Sequence, residues 1–259
     1  RKGFDSASGG KASPILPNGK MISLPIPYKE GYYYSDIFYE NDKTYLELMQ
    51  SLGIENVRLS GKSILTAQTF CHTDPDIRYE TFPNRANSWR PLFGQISGSQ
   101  TTLENGDVKA GDLFLFFGTF RKTEINGGLK FCGNPFHAIF GYLQIDNIIR
   151  KKEELEDWMK YHPHANWFDK KKNVVYVATE KLSLDSTMRG GGIFEFRNSR
   201  ILTKLGEKRI STWDLPPQLK GHISWNKEKF QTPARGRGQE FVIKEASEVE
   251  EWVKKQFEV

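Results

Sequence analysis

Apolar residues fall at Tyr45, Leu48, Met49 and Leu52, the i, i+3, i+4, i+7 spacing of one helical face, and Gly53 follows as a C-terminal stop. The spacing predicts a helix over 45–52 packed on a core. Leu155, Trp158 and Met159 share a second stripe within 153–161, and Val249, Trp252, Val253 and Phe257 a third near the end of the chain. The centre reads differently. Asp112 to Phe120 (DLFLFFGTF), Phe136 to Ile145 (FHAIFGYLQI) and Asn173 to Thr179 (NVVYVAT) are aromatic and β-branched runs bounded by glycine, asparagine or proline, which predicts central strands. Shorter strands are expected at 193–196, 201–203 and 240–243. Gly118 and Gly141 interrupt two of the long runs, where glycine marks a bulge or the close approach of another backbone. The first 30 residues carry four prolines and several Gly and Asn turn signals around Ile15, Leu16, Ile22, Leu24 and Ile26, so they are expected to form an ordered loop with short strands. Cys71 to Gly98 has little periodicity and is expected to be structured loop.

Together these patterns predict an α+β protein in which a bent, mixed β-barrel core over 107–203 carries peripheral helices and a long ordered N-terminal loop. No linker divides it, so 1–259 is read as a single domain. The chain has 259 residues, 37% of them hydrophobic and 13% aromatic, which is enough to bury a core without staples. Its longest apolar run, Leu113 to Phe117, is far short of a membrane span. Two cysteines cannot supply a disulfide framework or a Cys-rich zinc site, and a cytoplasmic setting is the simplest expectation. A net charge of +5 permits nucleic-acid binding without requiring it.

Candidate chemistry gathers on a few motifs. His72-Thr73-Asp74-Pro75-Asp76 alternates histidine and carboxylates, so in an extended backbone His72, Asp74 and Asp76 share one face. Such a cluster suits acid/base work, and His72 with Asp74 suits a divalent metal such as iron, manganese or zinc. The plainer alternative is that both carboxylates satisfy turn amides around Pro75. His137 lies within a predicted central strand and either finds a polar partner inside or faces a cavity. His162 and His164 flank Pro163 after Tyr161, where they either stop a helix or hold a base. Basic residues stand beside glycine or aromatics at Arg1-Lys2-Gly3-Phe4, Trp89-Arg90 and Arg235-Gly236-Arg237, patterns that suit phosphate contacts and base stacking. Arg189-Gly190-Gly191-Gly192 lacks the lysine and hydroxyl of a phosphate-binding loop.

At these motifs, joined by Ser23-Leu24-Pro25-Ile26-Pro27, Trp89 to Gln95, Gly111 to Gly118, His137 to Tyr142 and Gly236 to Phe241, the chain resembles the nucleotide modification associated domain 3 family over nearly its whole length. These are bacterial and phage proteins linked to DNA base hypermodification. The run Gly111 to Gly118, with the strand ending Gly141-Tyr142-Leu143-Gln144-Ile145, is also similar to the core of PUA-like barrels of the ASCH and EVE groups. These resemblances imply recognition or processing of a modified nucleobase or nucleotide in DNA, alongside other proteins of a base-modification system. On that reading Arg1, Lys2, Arg90, Arg121, Arg235 and Arg237 hold phosphate, while Trp89, His137, His162 and His164 line a base pocket. The competing expectations are a metal-dependent enzyme using His72, Asp74, Asp76 and Asp5, and a non-catalytic interaction module.

Overall fold

The computed structural model describes residues 2–4, 9–222 and 241–258. Its first half is a set of small antiparallel pairs around one helix. β1 (Ser13–Ile15) leads to β2 (Ile26–Tyr33), β3 (Phe38–Glu40) and β4 (Lys43–Thr44), then α1 (Tyr45–Ser51), β5 (Asn56–Arg58), β6 (Lys62–Ile64) and β7 (Phe70–His72). β2 pairs with β7, β3 with β4 and β5 with β6. The 45–52 periodicity folds as expected: the Thr44 hydroxyl accepts from the Glu47 amide and the Glu47 carboxylate accepts from the Thr44 amide, a capping box that fixes the start of α1. Tyr45, Leu48 and Met49 then reach a core that also holds Phe4, Leu24, Tyr34 and Ile37.

The second half is built on a large sheet. After β8 (Leu92–Gln95) and α2 (Ser97–Asn105) come the long strands β9 (Leu113–Ile125) and β10 (Leu129–Ile149), followed by β11 (Val174–Ala178), β12 (Lys181–Leu182), β13 (Asp185–Arg189), β14 (Gly191–Ile193) and α3 (Ser247–Phe257). The sheet runs β1-β9-β10-β11-β8, with β14 beside β10, and β1 joins it in parallel to β9. Phe93, Phe116, Phe120, Phe140 and Tyr176 fill the core against it.

Both glycines inside the long runs have the close neighbours expected of them. A Cβ on Gly118 would lie 2.8 Å from the Lys2 carbonyl oxygen, because the N-terminal segment docks there and the Lys2 amide donates to the Phe117 carbonyl at 2.8 Å. A Cβ on Gly141 would lie 2.9 Å from the Gly192 carbonyl oxygen, beside a register shift between Ile139 and Gly141.

The α+β class holds, but the expected barrel does not close. β10 is 21 residues long; its first part pairs with β9 and its last with β11, and the sheet edges β1 and β8 do not meet among the described residues. The stripe at 153–161 also differs. It forms 3-10 turns at Lys152–Glu154 and Asp157–Tyr161, closed by i to i−3 bonds such as Met159 N–H to Glu156 O. The strands expected at 193–196 and 201–203 shrink to β14 and single bridges at Glu195, Ile201 and Thr203. α2 gave no sequence signal: in SGSQTTLEN only Gln100 and Leu103 are buried.

Candidate functional site: a buried Lys–Asp–His line with two neutral imidazoles

β7 delivers His72 to the interior and ends there. Two residues on, Asp74 is 2% exposed along its side chain and still carries three polar contacts. Its Oδ2 accepts from Lys2 Nζ at 2.7 Å, and its Oδ1 accepts from the Gly94 amide of β8 at 2.7 Å and lies 3.2 Å from His162 Nε2. Burial alone would push the Asp74 carboxyl up; the Lys2 ammonium and the His162 bond outweigh it and hold the group well below the usual carboxylate range.

The 3-10 turn Pro163–Asn166 brings in the two histidines. The His162 ring accepts from the His164 amide through Nδ1 at 3.2 Å, which places its proton on Nε2, facing Asp74. His164 Nδ1 lies 2.7 Å from Asn173 Oδ1, and Asn173 Nδ2 donates to the His164 carbonyl at 2.8 Å. That second bond fixes the amide orientation, so His164 must donate from Nδ1 and keeps a lone pair on Nε2. Gly94 leaves room for the ring: a Cβ there would overlap the His164 imidazole.

His72 completes the group through ring contacts. Its centroid is 5.4 Å from His164, 5.4 Å from Tyr28 and 5.0 Å from Trp167. Desolvation lowers the His72 imidazole to about 4, opposed by the nearby Asp74 carboxylate, and drives His164 well below its ordinary value for the same reason. Both rings are therefore neutral at pH 7. Lys170, 3.6 Å from the Trp167 ring centroid, is half-buried beside them.

The structure thus gathers Lys2, His72, Asp74, His162 and His164 and leaves the other candidates elsewhere. Lys2, expected on phosphate, directs its ammonium to Asp74. Asp76 turns to Arg85, which grips both its oxygens in a buried pair and stacks 4.3 Å from the Trp89 ring centroid. Arg85 over the Trp89 ring and Tyr79 at its edge occupy the indole, which is committed to the interior. Arg90 pairs with Asp146 at 2.6 Å, and Arg121 donates to the Gly133 carbonyl on the β9–β10 hairpin. His137 is buried in a separate cluster, where its Nδ1 accepts from Trp213 Nε1 at 3.0 Å. Arg1, Asp5, Arg235 and Arg237 lie outside the described residues.

A divalent metal does not fit this arrangement. Asp76 is committed to Arg85, the Asp74 oxygens are taken by three donors, and among the described residues no group of three or more His, Cys, Asp or Glu side chains is arranged to hold an ion. Asn173, Gly94, Tyr28 and Trp167 are members that the sequence reading did not assign. Only Gly94 stood in a motif, and nothing in the pattern marked its role.

No helix among the described residues is long and apolar enough to cross a membrane. A family model described as nucleotide modification associated domain 3 matches residues 1–244. Comparison with curated proteins and with solved structures gives no match.

Proposed function

Because the chain belongs to the nucleotide modification associated domain 3 family, we propose that it recognises a modified nucleobase of DNA at the face formed by His72, His164, Tyr28 and Trp167. The observation that carries this reading is the fixed proton of His164. A neutral ring with Nδ1–H committed to Asn173 keeps Nε2 as an acceptor for an N–H or O–H of a base. Since His72, His164 and Trp167 are buried, a base enters by displacing the half-buried Tyr28 that packs on His72 and Trp167. Tyr28, the half-buried member of the face, supplies aromatic surface of the kind that stacks on bases, and Lys170, 3.8 Å from Glu30, stands beside Trp167 for a phosphate. The Lys2–Asp74–His162 line would then act as a rigid support. A buried ion pair contributes little net stability, so a positioning duty is the better account of it.

The same lone pair favours a second reading, processing of the base with His164 as proton acceptor.

The test is fluorescence anisotropy with labelled single-stranded and duplex oligonucleotides carrying thymine, 5-hydroxymethyluracil or 5-hydroxymethylcytosine, at two salt concentrations. The reading expects tighter binding of a modified strand, weakened by salt and by His164→Phe. Equal affinity for all strands, without salt dependence, would contradict it. Mass spectrometry of the recovered nucleosides distinguishes processing from recognition.

A further inference from the structure

The strand that carries Tyr28 does not run straight. In the pairing of β2 with β7, Pro27 and Tyr32 both stand opposite Cys71, so the four residues between them, Tyr28 to Gly31, bulge out of the ladder while Ile26 and Tyr33 stay in it. Both ends of the excursion suit it. Pro27 is buried and stiff, whereas Gly31 holds φ +123°, and a Cβ there would lie 2.7 Å from the Cys71 carbonyl oxygen. Lys29, Glu30 and Gly31 are exposed, and only Tyr28 of the four is half-buried.

The Tyr28 ring lies 5.4 Å from both His72 and Trp167, whose own rings are 5.0 Å apart. An aromatic side chain thus stands where the base-recognition reading puts a base. Its attachments are weak. Among the described residues the Tyr28 hydroxyl makes no hydrogen bond, and the excursion is tied down by Glu30, 3.8 Å from Lys170 Nζ in a pair open to solvent. Exposed pairs of this kind hold loosely. Residues 28–31 can therefore swing while Pro27 and Tyr32 keep their places in the ladder.

The depth of the acceptor narrows the ligand. His164 is 3% exposed and is walled by His72 and Trp167, the two rings that Tyr28 covers. A base held in a duplex stack presents only a groove edge to a protein and cannot put its N–H or O–H between these rings; a base free of its stack can.

We propose that residues 28–31 form a flap that keeps Tyr28 in the base subsite of the free protein, and that an unpaired base takes the place of that ring when the flap opens. The proposal takes its occupant from the base-recognition reading. Because only the open fraction binds, the flap also sets the apparent affinity.

Fluorine NMR of protein labelled with 3-fluorotyrosine, with Tyr28 assigned through Tyr28→Phe, follows the flap directly. In the free protein Tyr28 is expected to exchange between a packed signal and a minor solvent-exposed one. Glu30→Gln should raise the minor population about two- to fivefold, as expected for loss of an exposed ion pair. Gly31→Ala should raise it about tenfold, because alanine is strained at that φ and meets the Cys71 carbonyl. Saturation with a single strand carrying 5-hydroxymethyluracil should remove the packed signal, and the same base paired in a duplex should bind about tenfold more weakly or worse, the cost of unpairing it. Loss of the packed signal with saturating duplex would assign extrusion from the duplex, and its persistence would assign single strands. A strand that binds with the packed signal intact, equal affinity for single strand and duplex, or an open population that neither variant raises would overturn the proposal. Failure of base recognition reads differently: no strand binds while the open population still answers to both variants, which keeps the flap and removes the base as its occupant.

Discussion

His164 and Asn173 hold each other through two hydrogen bonds, Nδ1 to Oδ1 at 2.7 Å and Nδ2 to the His164 carbonyl at 2.8 Å. The pairing settles which imidazole nitrogen carries the proton. Asn173→Leu should therefore release the ring, weaken modified-base binding at least tenfold and cost about 1–3 kcal/mol, since it strands a buried carbonyl and a buried imidazole N–H. Urea denaturation and anisotropy on the same variant read both effects; unchanged affinity with lowered stability would confine Asn173 to a structural part.

Lys2 and Asp74 form the second dependency. Lys2→Met leaves an ionised carboxylate buried, and Asp74→Asn leaves an ammonium without its partner, so each is expected to cost about 3–5 kcal/mol. The double variant should cost clearly less than the two together. A double-mutant cycle with strictly additive costs would show that the pair is not coupled.

Acid should expose the neutral histidines. His72 titrates at about 4 in the fold against an ordinary 6.5, so between those values the unfolded chain binds the extra proton and stability falls as the pH falls. The shift corresponds to about 3 kcal/mol, fully present above pH 6.5, and His164 adds in the same direction. Asp74, held below its ordinary range, contributes stability that is lost only as the pH drops through its folded value, below this window. Denaturation midpoints from pH 7 to pH 5 should decline in the parent chain and decline less steeply in His72→Phe; identical slopes would count against burial of a neutral His72.

Gly94 is where strand and site meet. Its amide serves Asp74 and its missing Cβ makes room for His164. Gly94→Ala should cost about 1–3 kcal/mol through overpacking and displace the ring. A crystal structure or the imidazole resonances of the variant would reveal the displacement; an unmoved ring with parent stability would refute the steric account.

How much of this was legible in the sequence follows from what periodicity reports. The apolar runs in β9, β10 and β11 and the stripes of α1 and α3 say which side chains are buried along one element, and those elements formed. The polar run of α2 gave no stripe, and the 3-10 turns at 152–161 imitated a helical one because i, i+3 spacing suits both. His72, Asp74, His162 and His164 stood out singly as motifs. Their meeting did not, because 88 residues separate Asp74 from His162 and no local pattern encodes which elements touch. The alternation that placed Asp76 with Asp74 failed because β7 stops at His72 and the chain bends at Pro75, turning Asp76 toward Arg85. Lys2 read as a phosphate contact because its chain position gave no hint of a buried carboxylate.

The central claim, that His164 offers a base its Nε2 lone pair, is tested most directly by nitrogen NMR of histidine-labelled protein titrated with a strand carrying 5-hydroxymethyluracil. The account predicts a free protein in which His164 is protonated on Nδ1, and a saturable shift of its Nε2 on binding with Nδ1 held by Asn173. Binding of the strand with the His72 and His164 resonances unmoved would contradict it.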